Sequence, residues 1–380
     1  MTTQLPFTRI AHHPTKPELV LANGNHFLVL NSKTGELIKS YPKEESALDN
    51  VTDYYRCVAF NKDGSFLATS GENKEICVWN TSDWSLNSTR PAYKRINALQ
   101  FNNDSTQIVV ADKFGDVYCH PIKETIKEDK KEDEKLKPIV GHVSMVTDML
   151  LTPDEKYVIT SDRDEHIRVS RFPNGYNIES FCLGHTDVIT SIKLLPWKTD
   201  VLVSAGGDGT VRLWDYLKGS CLQTIDLKEQ IEDYKPPAAD ANSEDAIINT
   251  LSFDPASQKL AVAFAKSPAI LILDYNQETN TLEYKQTLVV SSPILDISFD
   301  LHSQLWIALD SQDQRVTLAT LDDQNQLAES KDNDILKQIN ATEVCQANKI
   351  FDLYTIFGLR KFLDLENQNE EPNNKKRKTE

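Results

Sequence analysis

At 380 residues the chain is long enough for one large domain or two of ordinary size. Hydrophobic residues at 39% against charged residues at 26% describe a globular chain with a core, and no run approaches the roughly 18 uninterrupted apolar residues that a membrane-spanning helix needs. Fifty-seven acidic and 41 basic side chains leave a net charge of −16, which repels a phosphate backbone and makes the isolated chain a poor candidate for gripping nucleic acid.

The first segment, MTTQLPFTRIAHHP, lacks the basic n-region and apolar h-region of a secretory signal. His12 and His13 within it point apart on an extended strand and have no companion ligands, so no metal is expected there. Six cysteines (Cys57, Cys77, Cys119, Cys182, Cys221 and Cys345) show no C-x-x-C spacing, which argues against zinc and against a disulfide framework and suits a reducing compartment. From Cys57 onward, short β-branched and aromatic runs such as FLATS, YVITS, VLVSA and VRLW alternate with the turn signals KDGS, PDEK and GGDG. The unit CVAFNKDGSFLATSGENKEICVWNTSDW carries Trp79 at the end of such a run. Trp84 follows in the TSDW loop, where a substitution should be tolerated better than at the core tryptophans.

Two later units line up closely. GHVSMVTDMLLTPDEKYVITSDRDEHIRVSRF is followed by GHTDVITSIKLLPWKTDVLVSAGGDGTVRLWDY. His142 matches His185, Thr160 matches Ser204, Asp164 matches Asp208, and Ser170 stands where the second unit has Trp214. Two stretches interrupt the series: the charged segment 123–138, KETIKEDKKEDEKLKP, and the Pro-Pro and acid-containing segment 227–246. Both read as exposed loop insertions. After about residue 325 the pattern changes, and Ile350, Leu353, Tyr354, Phe357 and Phe362 at 3–4 spacing predict a helical extension over 326–366. The polar tail 367–380 is expected to be disordered, and its Lys375-Lys376-Arg377-Lys378 cluster reads as a nuclear localisation signal.

These units resemble the WD repeat, whose four short strands form one propeller blade of roughly 40–45 residues. Leu30, Trp79, His120, Ser170, Trp214, Leu273 and Ala319 fall at equivalent places, about one blade apart. They predict an all-β, seven-bladed WD-repeat β-propeller over 1–325. In such repeats the Gly-His histidine, a strand Ser or Thr, the turn aspartate and the tryptophan bond to one another. His142, Thr160, Asp164, His185, Ser204, Asp208 and Trp214 therefore read as structural blade residues rather than catalytic groups. There is no G-x-S-x-G elbow, no phosphate-cradling loop and no Gly-rich cofactor loop after a strand. No catalytic, cofactor-binding or metal-binding residue is expected.

Three segments are more individual: ADKFGDVY at 111–118, SDRDEHIRVSRFPNGYNIESFCLGHTDVITSI at 161–192, and GGDGTVRLWDY at 206–216. In this order they resemble the WD-repeat non-catalytic subunit of the eukaryotic tRNA (guanine-N7)-methyltransferase. The Arg163 turn and the Phe181-Cys182 pair before Gly184-His185 carry the resemblance most specifically. It implies a scaffold with no cofactor of its own. Such a scaffold forms a heterodimer with a separate catalytic subunit, which makes 7-methylguanosine in the tRNA variable loop. It also implies a nuclear location, and contact with tRNA through the complex with weak or no binding alone. Mapped residue by residue, it places the partner against Arg163, Glu165, His166 and Arg168, with His166 standing where relatives often carry lysine. A general WD-repeat adaptor in another nuclear complex, such as a ubiquitin ligase or chromatin assembly, is the competing expectation.

Overall fold

A computed structural model describes residues 3–41, 54–123, 136–236, 246–330, 333–350 and 352–360 of the chain. Most of the 123–138 insertion, the Pro-Pro half of the 227–246 insertion and the tail with its basic cluster lie outside the described residues.

Each blade is an antiparallel sheet of four strands that follow one another in the sequence. The seven blades occupy 9–41, 55–91, 96–141, 146–183, 189–226, 248–289 and 294–329. A turn that forces one residue into the left-handed region joins the second and third strands in the first six blades, at Gly24, Lys74, Gly115, Glu165, Gly209 and Lys266. The anchor positions then fall in register. Leu30, Trp79, His120, Ser170, Trp214, Leu273 and Ala319 each sit in the third strand, opposite Leu19, Leu67, Ile108, Val158, Leu202, Leu260 and Leu305.

Successive blades bury their apolar faces against one another, so the core is a ring of clusters rather than a single centre. Side chains also tie blade to blade. The buried Asp148 accepts the Ile192 N–H at 2.9 Å, and Asp296, at the same place in blade 7, accepts the Ile10 N–H at 2.8 Å. Farther out, the Gln223 side chain exchanges bonds of 2.8 and 2.9 Å with the backbone of Leu282 in the next blade.

Because blade 7 borrows no strand from the N-terminus, the seam between blades 7 and 1 is closed by other means. Strand Thr3–Gln4 pairs with Gln346–Ala347. Helix Asp334–Ala341, capped by the Asn333 side chain, packs Leu336 and Ile339 with Phe7, Leu19 and Trp306. The two histidines part as the strand pattern predicts: His12 lies 5.9 Å from Trp306 in this seam, and His13 lies 5.1 Å from Phe60 in blade 2.

Three expectations need correction. The opening of the 227–246 segment is not a loop: Leu227 and Ile231, four apart on helix Lys228–Ile231, are fully buried in the cluster between blades 5 and 6. The described residues of the 350–362 region, 350 and 352–360, do not form the predicted α-helix. They are irregular apart from a 3-10 turn, Thr355–Leu359, because Leu353, Tyr354, Ile356 and Phe357 pack onto the curved seam and not along one straight face. Trp84 is only 6% exposed, turned back with φ 57° onto Phe27 and Phe60. It is a core residue of blade 2 and will not tolerate truncation.

Candidate partner-docking face

In blade 5 the bonded set is complete. Trp214 Nε1 donates to Ser204 Oγ at 2.8 Å, Ser204 lies 2.7 Å from His185 Nε2, and His185 Nδ1 lies 2.9 Å from Asp208 Oδ2. One proton arrangement satisfies every member: the serine hydroxyl donates to Nε2, and Nδ1–H donates to the carboxylate. Burial alone would raise the Asp208 carboxyl. The hydrogen bond and charge of His185, with donors from Thr210 and Thr186, outweigh it and hold the group at about 2.

A folded value below the ordinary 3.8 means this stabilisation is fully present above pH 4. Acid should therefore erode it as the pH falls from about 4 to 2, by about 2 kcal/mol in all. Comparing the urea unfolding of Asp208→Asn and the parent across that range checks the sign: a gap that stays constant with pH would contradict it.

Blade 4 builds the same scaffold differently. His142 Nε2 lies 2.7 Å from Thr160 Oγ1, but its Nδ1 meets Asp162 Oδ2 at 3.0 Å, not Asp164. Asp162 ends its strand opposite Val146, beside His142, whereas Asp164 sits half-buried in the turn. Blade 5 has Gly206 at the Asp162 position, where a Cβ would come 2.3 Å from Val188 O, so its carboxylate must come from Asp208. Asp162 also fixes the turn, accepting the N–H groups of Asp164 at 2.9 Å and His166 at 3.0 Å through Oδ1. Burial opposes ionisation of Asp162, yet the His142 bond, the His166 N–H and the two imidazoles hold its carboxyl below the ordinary range. Asp112 in ADKFGDVY plays the same part in blade 3, accepting from Phe114 and Asp116. The aspartate near the start of the first two motifs is thus a turn organiser.

On this frame the four expected contact residues sit in one turn and strand. Glu165 holds the left-handed corner, and His166 is exposed. Arg163 Nε donates to Leu359 O at 2.7 Å, which fastens the C-terminal segment across the top of the ring. Arg360, one residue on, donates to Asp187 in the loop between blades 4 and 5 at 2.7 Å.

Arg168 is half-buried between Ile167 and Val169, which are fully buried. Its guanidinium is occupied within the blade: Nε bonds to Ser170 Oγ at 2.8 Å, Nη1 to Gly141 O at 3.0 Å and Nη2 to Gly175 O at 2.7 Å. The small Ser170 at the tryptophan place is what draws it there. Guanidinium carries five donors, so two N–H groups remain for an outside carboxylate.

The sequence marked Phe181 as part of the resemblance but assigned it no contact, and Leu183 was not singled out. Phe181 pairs with Arg168 and Leu183 with His166 on the outermost strand, and they are 41% and 59% exposed. Directly opposed residues project from the same side of a sheet. The alternation in IESFCL, with Cys182 buried between them, was the available signal. A densely charged turn with Arg168 on its strand, beside an exposed apolar strip, is the chemistry of a protein-docking surface. Among the described residues no group of three or more His, Cys, Asp or Glu side chains is placed to hold a metal ion.

The model of the tRNA methyltransferase TRM82 WD40 domain matches residues 30–138 and 123–333. A human protein named tRNA (guanine-N(7)-)-methyltransferase non-catalytic subunit WDR4 is 31% identical over 278 residues, 72% of this chain and 64% of its own length. The Danio rerio protein of the same name is 32% identical over 302 residues, covering 79% of this chain and 70% of the relative. The TRM82 subunit of Candida glabrata is 31% identical over 70% of this chain and 69% of its own. Among solved structures, one titled "Structure of U3-55K" superposes with TM-score 0.63 at 17% identity, covering 80% of this chain and 89% of that one. A chain of a mitotic checkpoint complex gives 0.62 at 14%, covering 82% and 92%. At those identities the solved structures speak for the propeller fold alone.

Proposed function

Since the chain belongs to the TRM82 WD40 family of tRNA (guanine-N7)-methyltransferase non-catalytic subunits, we propose that it binds and stabilises a separate catalytic subunit and is required for 7-methylguanosine formation in the tRNA variable loop. The observation that carries this reading is the blade 4 face. A turn locked by Asp162 presents Arg163, Glu165 and His166 beside Arg168, with Phe181 and Leu183 exposed alongside. Apolar strip and charged turn divide the work of recognition. Burying the strip supplies binding energy, and the charges fix orientation and speed encounter. The rigid ring does not need to move to do this, so it holds its partner in one geometry.

In this reading the histidines serve the blades and not chemistry, since His142 and His185 each spend both ring nitrogens on neighbours in their own blade. An acidic ring also suits a basic, RNA-binding partner: complementary potentials steer the two together, while tRNA is engaged through the complex.

The test is reconstitution. The purified chain alone should neither bind S-adenosylmethionine nor transfer a methyl group. Added to its catalytic partner, it should raise tRNA methylation and raise the partner's melting temperature. Methyl transfer by this chain free of partner, or no effect on the partner, would defeat the proposal.

A further inference from the structure

The innermost strands bulge one residue from their start, and at that bulge each sends a side chain to the mouth of the axial channel. In blades 3 to 6 these are Asn97, Thr147, Thr190 and Asn249. On the other side of the mouth Arg9, Arg56 and Arg95 converge from the inner edges of blades 1 to 3. They line a cavity of about 280 Å³, roofed by the C-terminal segment from Leu353 to Leu359.

The charge there does not balance. Glu72 is shared, its Oε1 taking both Arg56 Nε and Arg95 Nη1, the latter at 3.3 Å. Arg9 spends Nε on Arg56 O and Nη1 on Thr8 O, both at 2.8 Å, and has no ion pair among the described residues. Arg56 Nη1 reaches the Thr355 hydroxyl at 3.4 Å, and Arg95 Nε reaches Asn97 at 3.3 Å. These bonds leave Nη2 of all three without a protein acceptor among the described residues.

No carboxylate lines the cavity. Asp148 and Asp296 line the adjoining stretch of the channel, where they accept the Ile192 and Ile10 N–H groups and feel the charge of Arg9 without reaching it as an ion pair. Burial, then the charge of Arg56, presses the Arg95 guanidinium down from its ordinary value. In a chain of −16, three arginines crowded at one mouth with one carboxylate between them are an arrangement that a bound anion completes.

We propose that this cavity is a binding site for a small oxyanion of the phosphate class. Guanidinium forks match the tetrahedral oxygens through paired N–H bonds. The opposite wall is polar but bonds within the ring, Asn97 and Asn249 donating to Val146 O and Leu295 O and Thr190 to Ile248 O, so the arginines carry the binding. Because Thr355 in the roof bonds to Arg56, an occupied site also pins the C-terminal segment over the channel. The site needs no catalytic partner, and its test is independent of the methyltransferase reading.

Calorimetric titration of the full chain with inorganic phosphate, at ionic strength held by chloride, should give one saturable site. Arg9→Gln with Arg95→Gln should weaken it more than tenfold while circular dichroism stays unchanged. A nucleoside 5′-monophosphate in a parallel arm distinguishes sources: tighter binding than phosphate assigns the site to a nucleotide's phosphoryl group, and equal or weaker binding to the free anion. Absence of saturation, or equal affinity in the folded double variant, would overturn the site. If the double variant does not fold, amide exchange over 352–360 of the parent decides. Phosphate should slow it several-fold, and unchanged exchange would sink the proposal.

Discussion

Trp214→Ala should lower the unfolding free energy by about 3–5 kcal/mol, the cost of truncating a large, fully buried aromatic. Two losses combine. The indole packs with Ile189, Ile192 and Leu202 in the cluster between blades 4 and 5, so its removal leaves a cavity that rigid strands cannot collapse. Its Nε1–H is also the outermost donor of the set running through Ser204 and His185 to Asp208. Without it one lone pair of the serine goes unmatched in a dry interior. Trp214→Phe keeps most of the volume and loses only the bond, so it should fall by much less. Chemical denaturation of the three proteins separates the terms. A loss in Trp214→Ala no larger than in Trp214→Phe would mean the site collapses freely and would contradict the rigid-ring picture.

Arg168→Glu should weaken association with the catalytic partner and tRNA methylation by the complex. If the surviving N–H groups meet a desolvated carboxylate, the loss is about 2–5 kcal/mol of binding; a pair on the rim would lose much less. The structure adds a second consequence. Three internal bonds, to Ser170, Gly141 and Gly175, disappear with the guanidinium. At roughly 0.5–1.5 kcal/mol each, their loss should lower the melting temperature while leaving a folded ring.

Arg212 is the control. It occupies the same strand position in blade 5, but its Nη2 stands 3.9 Å from Asp208. Arg212→Glu sets two carboxylates together and should harm the fold more than the complex. Scanning calorimetry with a pull-down reads both axes. A folded Arg168→Glu protein that binds with undiminished affinity would move the docking face elsewhere on the ring.

Blade number and register were legible because each blade must repeat one constraint: a third-strand anchor facing a buried second-strand partner. Even Ala319 and His120, which look nothing like tryptophan, stand where spacing puts them, opposite Leu305 and Ile108. What could not be read was which of two nearby groups takes a bond. Asp164 aligns with Asp208 in the sequence, yet His142 takes Asp162, which stands where blade 5 has Gly206, so in blade 5 the carboxylate comes from Asp208 instead.

Trp84 was misjudged for a similar reason. Its loop position is plain in the sequence, but the positive φ that folds it back onto Phe27 is not. The candidate contacts were placed on one turn by resemblance. The occupation of Arg168 by its own blade and the C-terminal segment crossing to Arg163 depend on residues far away in sequence.

The seam between blades 7 and 1 has a consequence for how the chain is made. Every blade is written in one uninterrupted stretch, so blades 2 to 6 can assemble in turn as they leave the ribosome. Blade 1, however, waits. Phe7 and Leu19 complete their packing against Trp306, Leu336 and Ile339, and the edge strand Thr3–Gln4 pairs with Gln346–Ala347, all some 300 residues later in the sequence. Until those residues have emerged, the apolar flank of blade 1 that they cover has no partner, so closing the ring is a contact between distant parts of the chain.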